Sequence, residues 1–147
     1  MSSTTRPVTG FPALATRIWQ GAVAGIGGGI VFGMLMAMMG MLTTIAGMVG
    51  STSPIVGALI HLVISAGIGA SFGLLVPIVR FWLLVGAGAI YGMVWWVLGP
   101  LVLMPAMLGM PLFAISAPTV MSLMGHIIFG LVTAAILYGL RRRTQPA

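Results

Sequence analysis

The segment Gly29–Gly50, "GIVFGMLMAMMGMLTTIAGMVG", contains no charged residue. The uncharged run around it extends from Ile18 to Val79, because Arg17 and Arg80 are the nearest charged residues. A helix needs about 20 consecutive apolar residues to cross a bilayer. The run is therefore long enough for more than one membrane span.

The composition of the whole chain leads to the same class of protein. Of the 147 residues, 60% are hydrophobic and 4% are charged. Charged residues normally make up about a quarter of a soluble domain. A soluble core could not be covered with so few charges, and the sequence therefore predicts an all-α integral membrane protein.

The residue types that are missing exclude several functions. The chain has no Asp, Glu, Lys or Cys. It therefore offers no carboxylate base, no carboxylate cage for Mg²⁺ or Ca²⁺, and no thiolate nucleophile or iron–sulfur ligand. Only two histidines and scattered hydroxyl groups remain for chemistry, so we expect no enzyme activity.

The apolar segments divide into four predicted spans. They cover Ile18–Ile45, Pro54–Pro77, Phe81–Leu103 and Pro118–Leu140. A polar turn, "GSTSP", separates the first two, with Ser53 in the position of a helix N-cap. The long connection before the fourth span is itself apolar.

The arginines predict the orientation of these spans. Arg6 and Arg17 precede the first span, Arg80 separates the second from the third, and Arg141–Arg143 follow the fourth. All six lie on one side of a four-span arrangement, so the positive-inside rule places both termini in the cytoplasm. At membrane edges they are topology signals, and we expect no nucleic-acid partner. The segment Tyr91–Pro105 resembles those of small bacterial membrane proteins, which implies the bacterial plasma (inner) membrane.

The two halves of the chain are similar to each other. A shift of 59 residues places Gly29–Gly50 over Gly88–Gly109, with seven identities in 22 positions, where roughly two are expected by chance in so biased a composition. The following helices also correspond, and one extra residue, Gly125, brings His126 into the place of His61.

This similarity predicts a tandem duplicated helical hairpin. The first copy covers residues 18–77 and the second residues 78–140, with tails at 1–17 and 141–147. Each copy contains two spans, so both enter the membrane in the same direction. The predicted arrangement is a parallel repeat with a pseudo-twofold axis along the membrane normal.

The two histidines are the strongest candidates for a site. At about 1.5 Å per residue, His61 and His126 are expected at a similar depth below the ends of their helices. Counting through the turns places Gly40 and Gly99 at the same level on the other two helices. In the simplest interpretation each imidazole donates to a backbone carbonyl or a hydroxyl of a neighbouring helix, but ionisable groups inside a membrane are often functional.

This arrangement resembles the haem-bearing four-helix core of membrane b-type cytochromes. The resemblance implies that His61 and His126 are axial ligands of one haem b, and that Gly40 and Gly99 make room for it. Those cytochromes usually carry two histidines on each ligating helix, whereas this chain has one. It also has no arginine on that side of the membrane for the propionates.

The methionines offer a second type of ligand. The chain has 13, and thioethers favour Cu(I). Met38 and Met41 are expected to share a helix face. The candidate metal ligands are therefore His61, His126, Met38 and Met41. In the alternative, the methionines fill irregular apolar gaps and bind nothing.

Three functions are therefore open from the sequence. The first is a cofactor-binding protein with one haem b, or less favourably Cu(I), used for electron transfer or haem handling. The second is a structural or accessory subunit without cofactor, which packs against partner helices in a homo-oligomer or a membrane complex. The third is a channel or carrier for a neutral or anionic solute or for Cu(I). In each case the lipid bilayer is the principal partner.

Overall fold

The computed structural model describes residues 11–144, with side chains from residue 13, and all the regular secondary structure in this range is helical. The predicted tails fall partly outside this range. The elements in chain order are α1 (Phe11–Met38), α2 (Leu42–Gly47), α3 (Pro54–Leu75), α4 (Phe81–Leu98), a π-helical segment (Gly99–Leu103), α5 (Met104–Leu108) and α6 (Ala117–Thr144).

Four helices are long and apolar enough to cross a membrane, which confirms the predicted all-α fold with four transmembrane helices. They are α1, α3, the continuous run from Phe81 to Leu108, and α6. Three of them extend beyond the predicted spans, since α1 begins before Ile18, the third helix continues past Leu103 to Leu108, and α6 continues to Thr144. A helix satisfies its own backbone hydrogen bonds, so it need not end where the apolar sequence ends.

The four long helices form a bundle that is tightly packed on three sides. Helix α1 packs against α3 and α6, and α6 packs against α4. Helices α3 and α4 meet on the fourth side mainly through Tyr91, whose hydroxyl lies 2.6 Å from Ser71 Oγ and whose ring lies 5.0 Å from that of Phe72. The bundle is therefore more open between α3 and α4 than elsewhere.

Glycines bring the helices of each hairpin into backbone contact. On α1 and α3, a Cβ added at Gly69 would lie 2.5 Å from the Cα of Gly25. On α4 and α6, a Cβ added at Gly88 would meet the carbonyl oxygen of Gly130. Close approach of this kind is a main source of helix association in lipid, where apolar burial gives little driving force.

The two hairpins share one contact register. Gly33 on α1 faces the ring of His61, and Gly92, 59 residues later on α4, faces the backbone of His126. A duplication would produce this correspondence, although the duplication itself stays a prediction.

A glycine turn divides the first predicted span. Helix α1 ends at Met38, and Gly40 adopts a left-handed conformation with φ +68°. The amide of Gly40 donates to Ala37 O, and that of Met41 donates to Met36 O over 2.9 Å. This pair of bonds is a Schellman cap. The span is therefore not one helix to Ile45, and the short α2 follows the turn instead.

The matching place in the third span continues as helix, because Pro100 stands where the first hairpin has Met41. Proline has no N–H, so it cannot make the bond that closes the Schellman cap. The chain instead widens into the π-helical segment, in which the amide of Met104 donates to Gly99 O. Such π-helical turns are frequent at functional sites.

Arginine side chains make hydrogen bonds at the end of the bundle that lies away from the π-helical segment. We call it the arginine end. Arg141 donates hydrogen bonds of 2.8 Å to the carbonyl oxygens of Gly73, Val76 and Ile78. Arg17 donates to Gly73 O over 3.4 Å. These carbonyls lie at and beyond the C-terminus of α3, where the helix leaves them without partners.

Candidate functional site

An apolar cavity lies in the half of the bundle away from the arginine end. It has a volume of about 320 Å³ and is lined by α1, α2, α3, α4, the π-helical segment, α5 and α6. Its polar side chains are His61, His126 and Ser122, and four of its lining residues are methionines. We call it the inner cavity. Its volume is at the lower end of the range for small-molecule sites, about 300–1,000 Å³.

The structure brings both predicted histidines to this cavity. The ring of Phe32, from α1, lies against both: its centroid is 5.4 Å from that of His61 and 4.8 Å from that of His126. Both contacts are edge-on. The centroids of the two imidazoles are therefore no more than about 10 Å apart, a separation that a bound ligand could span. Phe32 was not predicted as a site residue.

The hydrogen bond of His61 determines its tautomer. Its Nε2 lies 2.9 Å from the backbone oxygen of Gly29 on α1. A carbonyl oxygen only accepts hydrogen bonds, so Nε2 carries the hydrogen and the neutral ring keeps its lone pair on Nδ1. Ser65 donates in turn to the backbone oxygen of His61 over 2.7 Å. His61 thus makes the interhelical hydrogen bond of the simplest interpretation, and its Nδ1 stays unprotonated.

His126 has the opposite tautomer. Its Nδ1 lies 2.8 Å from the backbone oxygen of Ser122, one turn earlier on α6, and must donate to it. Its Nε2 therefore bears the lone pair, and no other described residue hydrogen-bonds to that atom. A histidine whose second nitrogen donates to a backbone carbonyl is typical of metal ligation, because this bond orients the ring and makes it more basic.

Only one of the two predicted glycines lies beside an imidazole. A Cβ added at Gly99 would come 4.0 Å from His126 Nε2, whereas Gly40 lies in the turn after α1, with no atom within 4 Å of an added Cβ. The glycine that faces His61 is Gly33, where a Cβ would lie 3.2 Å from Cδ2. The expected level was wrong for the first hairpin because α1 ends before Gly40. If the first helix is taken to end at the Schellman turn, the residue expected at the level of His61 lies about two helical turns earlier, near Gly33.

The predicted methionine ligands also divide. Met41 lines the inner cavity, but Met38 is 84% exposed at the end of α1 and does not line it. Met36 lines the cavity instead and is 4% exposed. It lies one turn after Phe32, so the two side chains share a helix face. Once Phe32 is known to contact both histidines, this spacing identifies Met36.

A second cavity adjoins the inner one and reaches towards the surface. It has a volume of about 350 Å³, and we call it the outer cavity. Met41, Met104, Pro100 and Ser122 line both cavities. Exposed residues of the connecting turns complete the outer cavity, and Gly40 is one of them.

The donors available for a metal are few. Among residues 11–144, no three His, Cys, Asp or Glu side chains lie together. A ligand set in the inner cavity must therefore combine imidazole with thioether or hydroxyl groups, or use a cofactor that brings its own donors.

Comparisons with protein families, with curated proteins and with solved structures find no match to this chain. The function must therefore be inferred from the chemistry of the site itself.

Proposed function

We propose that this protein is a membrane-embedded binding protein without enzyme activity, which holds a cofactor or metal ion in the inner cavity through His126 and His61. The observation that supports this proposal is the pair of tautomers. Each imidazole donates one N–H to a backbone carbonyl and keeps an unprotonated nitrogen, at Nε2 of His126 and at Nδ1 of His61. Neutral imidazoles bind metals without a carboxylate.

Haem b is the first occupant to test. His126 would hold the haem through Nε2, which is unprotonated and lies on the far side of the ring from the Cβ atom. His61 would have to release Gly29 and turn, because its free Nδ1 is adjacent to the ring carbon that bears Cβ, which would crowd a macrocycle. Haem would also have to displace the Phe32 ring, which contacts both imidazoles. With haem bound, the protein would serve in electron transfer or in haem handling.

The absorption spectrum of the purified protein, with metal analysis of the same sample, tests the proposal. For haem we expect a Soret band at about one haem per chain, as purified or after haem addition. The band should be lost in His126→Asn and kept in Ser71→Ala, which changes a hydroxyl outside the cavity. A native protein that binds neither haem nor any metal would contradict the proposal.

An accessory subunit is the second candidate. Three glycines in the long helices have open space where a Cβ would stand, at Gly67, Gly86 and Gly139. Partner helices could approach most closely at such positions. Crosslinking in native membranes tests this function, and recovery of monomers alone would contradict it.

A further inference from the structure

We propose that the inner cavity binds one Cu(I) ion through Nε2 of His126 and the thioethers of Met36 and Met104. This inference rests on the proposed function, because it names the ligand of the same site. It requires no movement of Phe32 to admit a macrocycle.

The nitrogen ligand is already oriented for a metal. The hydrogen bond from Nδ1 to Ser122 O holds the imidazole of His126 and leaves Nε2 unprotonated. Gly99 lies beside that atom, and a Cβ added there would be 4.0 Å from it. Because glycine has no side chain, the nitrogen is not covered on this side. The nitrogen therefore faces the point where the π-helical segment begins.

Methionine side chains line the same cavity from two sides. Met36 reaches the cavity from α1 and is almost completely buried. Met104 reaches it from the first residue of α5, and its amide is bonded to Gly99 O. Met41 and Met48 complete the methionine lining. Imidazole and thioether donors together select a soft metal ion.

The charge of the ligand set favours a monovalent ion. The chain has no carboxylate or thiolate, so every donor in the cavity is neutral. An uncompensated charge in an apolar interior is expensive, and more so for a divalent ion than for a monovalent one. Zn²⁺ sites usually include thiolate, carboxylate or several imidazoles, and this cavity has two imidazoles at most. Cu(I) needs fewer ligands and less charge compensation.

The outer cavity provides a route from the surface to the inner cavity, and methionines line it as well. Met39 and Met110 line it near the surface, and Met41 and Met104 stand at its boundary with the inner cavity. Both Met39 and Met110 are exposed. Thioethers thus continue from the surface to the level of His126, so that an incoming soft ion finds ligands throughout.

Anaerobic Cu(I) titration tests the inference. The full chain in detergent or nanodiscs competes with a chromophoric Cu(I) chelator, with Cu(I) kept reduced by ascorbate, and X-ray absorption of the loaded protein identifies the donor atoms. We expect one Cu(I) per chain with mixed nitrogen and sulfur ligation. His126→Asn, Met36→Leu and Met104→Leu should each weaken binding about tenfold or more.

Met38→Leu is the matched control for Met36→Leu, because Met38 lies two residues away and outside the cavity. It should bind Cu(I) like the native protein. Circular dichroism and monodisperse elution establish that each variant is folded. The inference is overturned if the native protein binds no Cu(I), or if His126→Asn or the two cavity methionine variants bind it unchanged. A Soret band that depends on His126, without Cu(I) binding, would overturn the copper site and leave the proposed function standing.

Discussion

Backbone carbonyl oxygens take the place of acidic partners for the histidine and arginine side chains of this protein. His61 bonds to Gly29 O and Arg141 to three carbonyls beyond the end of α3. A chain without Asp or Glu has no side-chain carboxylate for these groups. For these side chains, backbone carbonyls therefore supply the acceptors that carboxylates supply in most proteins.

Replacement of Arg141 by lysine should destabilise the fold while keeping its charge. The guanidinium reaches three carbonyls at once, whereas an ammonium group is a compact point charge that cannot reproduce the fork. Hydrogen bonds from a charged group contribute about 1.5–3 kcal/mol each, and we expect a loss of about 1–3 kcal/mol in total, because lysine keeps some of them. Thermal unfolding in detergent, followed by size-exclusion elution, measures the loss.

Arg143→Lys provides the comparison, since Arg143 is exposed two residues further along α6. It should leave the melting temperature almost unchanged. Equal melting temperatures for the two variants would show that the three carbonyl contacts do not stabilise the protein.

Helix contacts in this protein depend on the absence of side chains. Where α1 meets α3 and α4 meets α6, glycine allows one backbone to lie against the other. The apolar side chains that face outward do not select a partner helix, because lipid solvates them as well as another helix would. At the scale of elements, the positions of glycine therefore decide which faces pair.

Two glycines on one helix test this point. Gly69→Ala should destabilise the first hairpin by about 1–3 kcal/mol, because its Cβ would overlap the backbone of α1. Gly67→Ala adds the same methyl group two residues earlier, where no atom lies within 4 Å. It should be neutral or stabilise the helix by up to about 1 kcal/mol. Thermal unfolding of both variants in one detergent gives the comparison, and equal losses would contradict the packing.

The whole molecule has one end rich in arginine and another that contains both cavities. Arg17, Arg80 and Arg141–Arg143 lie at the first end, and the turns around Gly40 and Gly109 lie at the other. If the positive-inside rule holds, the arginine end faces the cytoplasm and the outer cavity opens on the opposite side of the membrane.

Cysteine labelling tests this orientation, because the native chain has no cysteine. Single cysteines replace Thr52, between α2 and α3, Ala114, between α5 and α6, and Val79, between α3 and α4. In intact cells a membrane-impermeant maleimide should label the first two positions and reach the third only after lysis. Labelling of Val79→Cys alone in intact cells would reverse the orientation.

The four spans and the candidate histidines could be predicted from the sequence because they depend on local composition. The scarcity of charges requires lipid as the surroundings, and four apolar segments follow directly. His61 and His126 stand out because a polar ring in an apolar span is costly to bury without a partner. The helix class, the number of spans and the two imidazoles therefore needed no tertiary information.

The surroundings of the histidines depended on contacts between helices. Because the chain turns at Gly40, α1 ends earlier than the sequence predicted, and Gly33 rather than Gly40 faces His61. The hydrogen bond of each ring, the contact of Phe32 with both rings and the presence of Met36 rather than Met38 in the cavity all follow from which helix faces meet. Composition and the spacing of the apolar segments were thus enough to predict a helical membrane protein with two imidazoles in its spans. Which ring nitrogens carry the hydrogen followed only from the packed helices, because it depends on carbonyl oxygens whose positions are set by the packing and the turns.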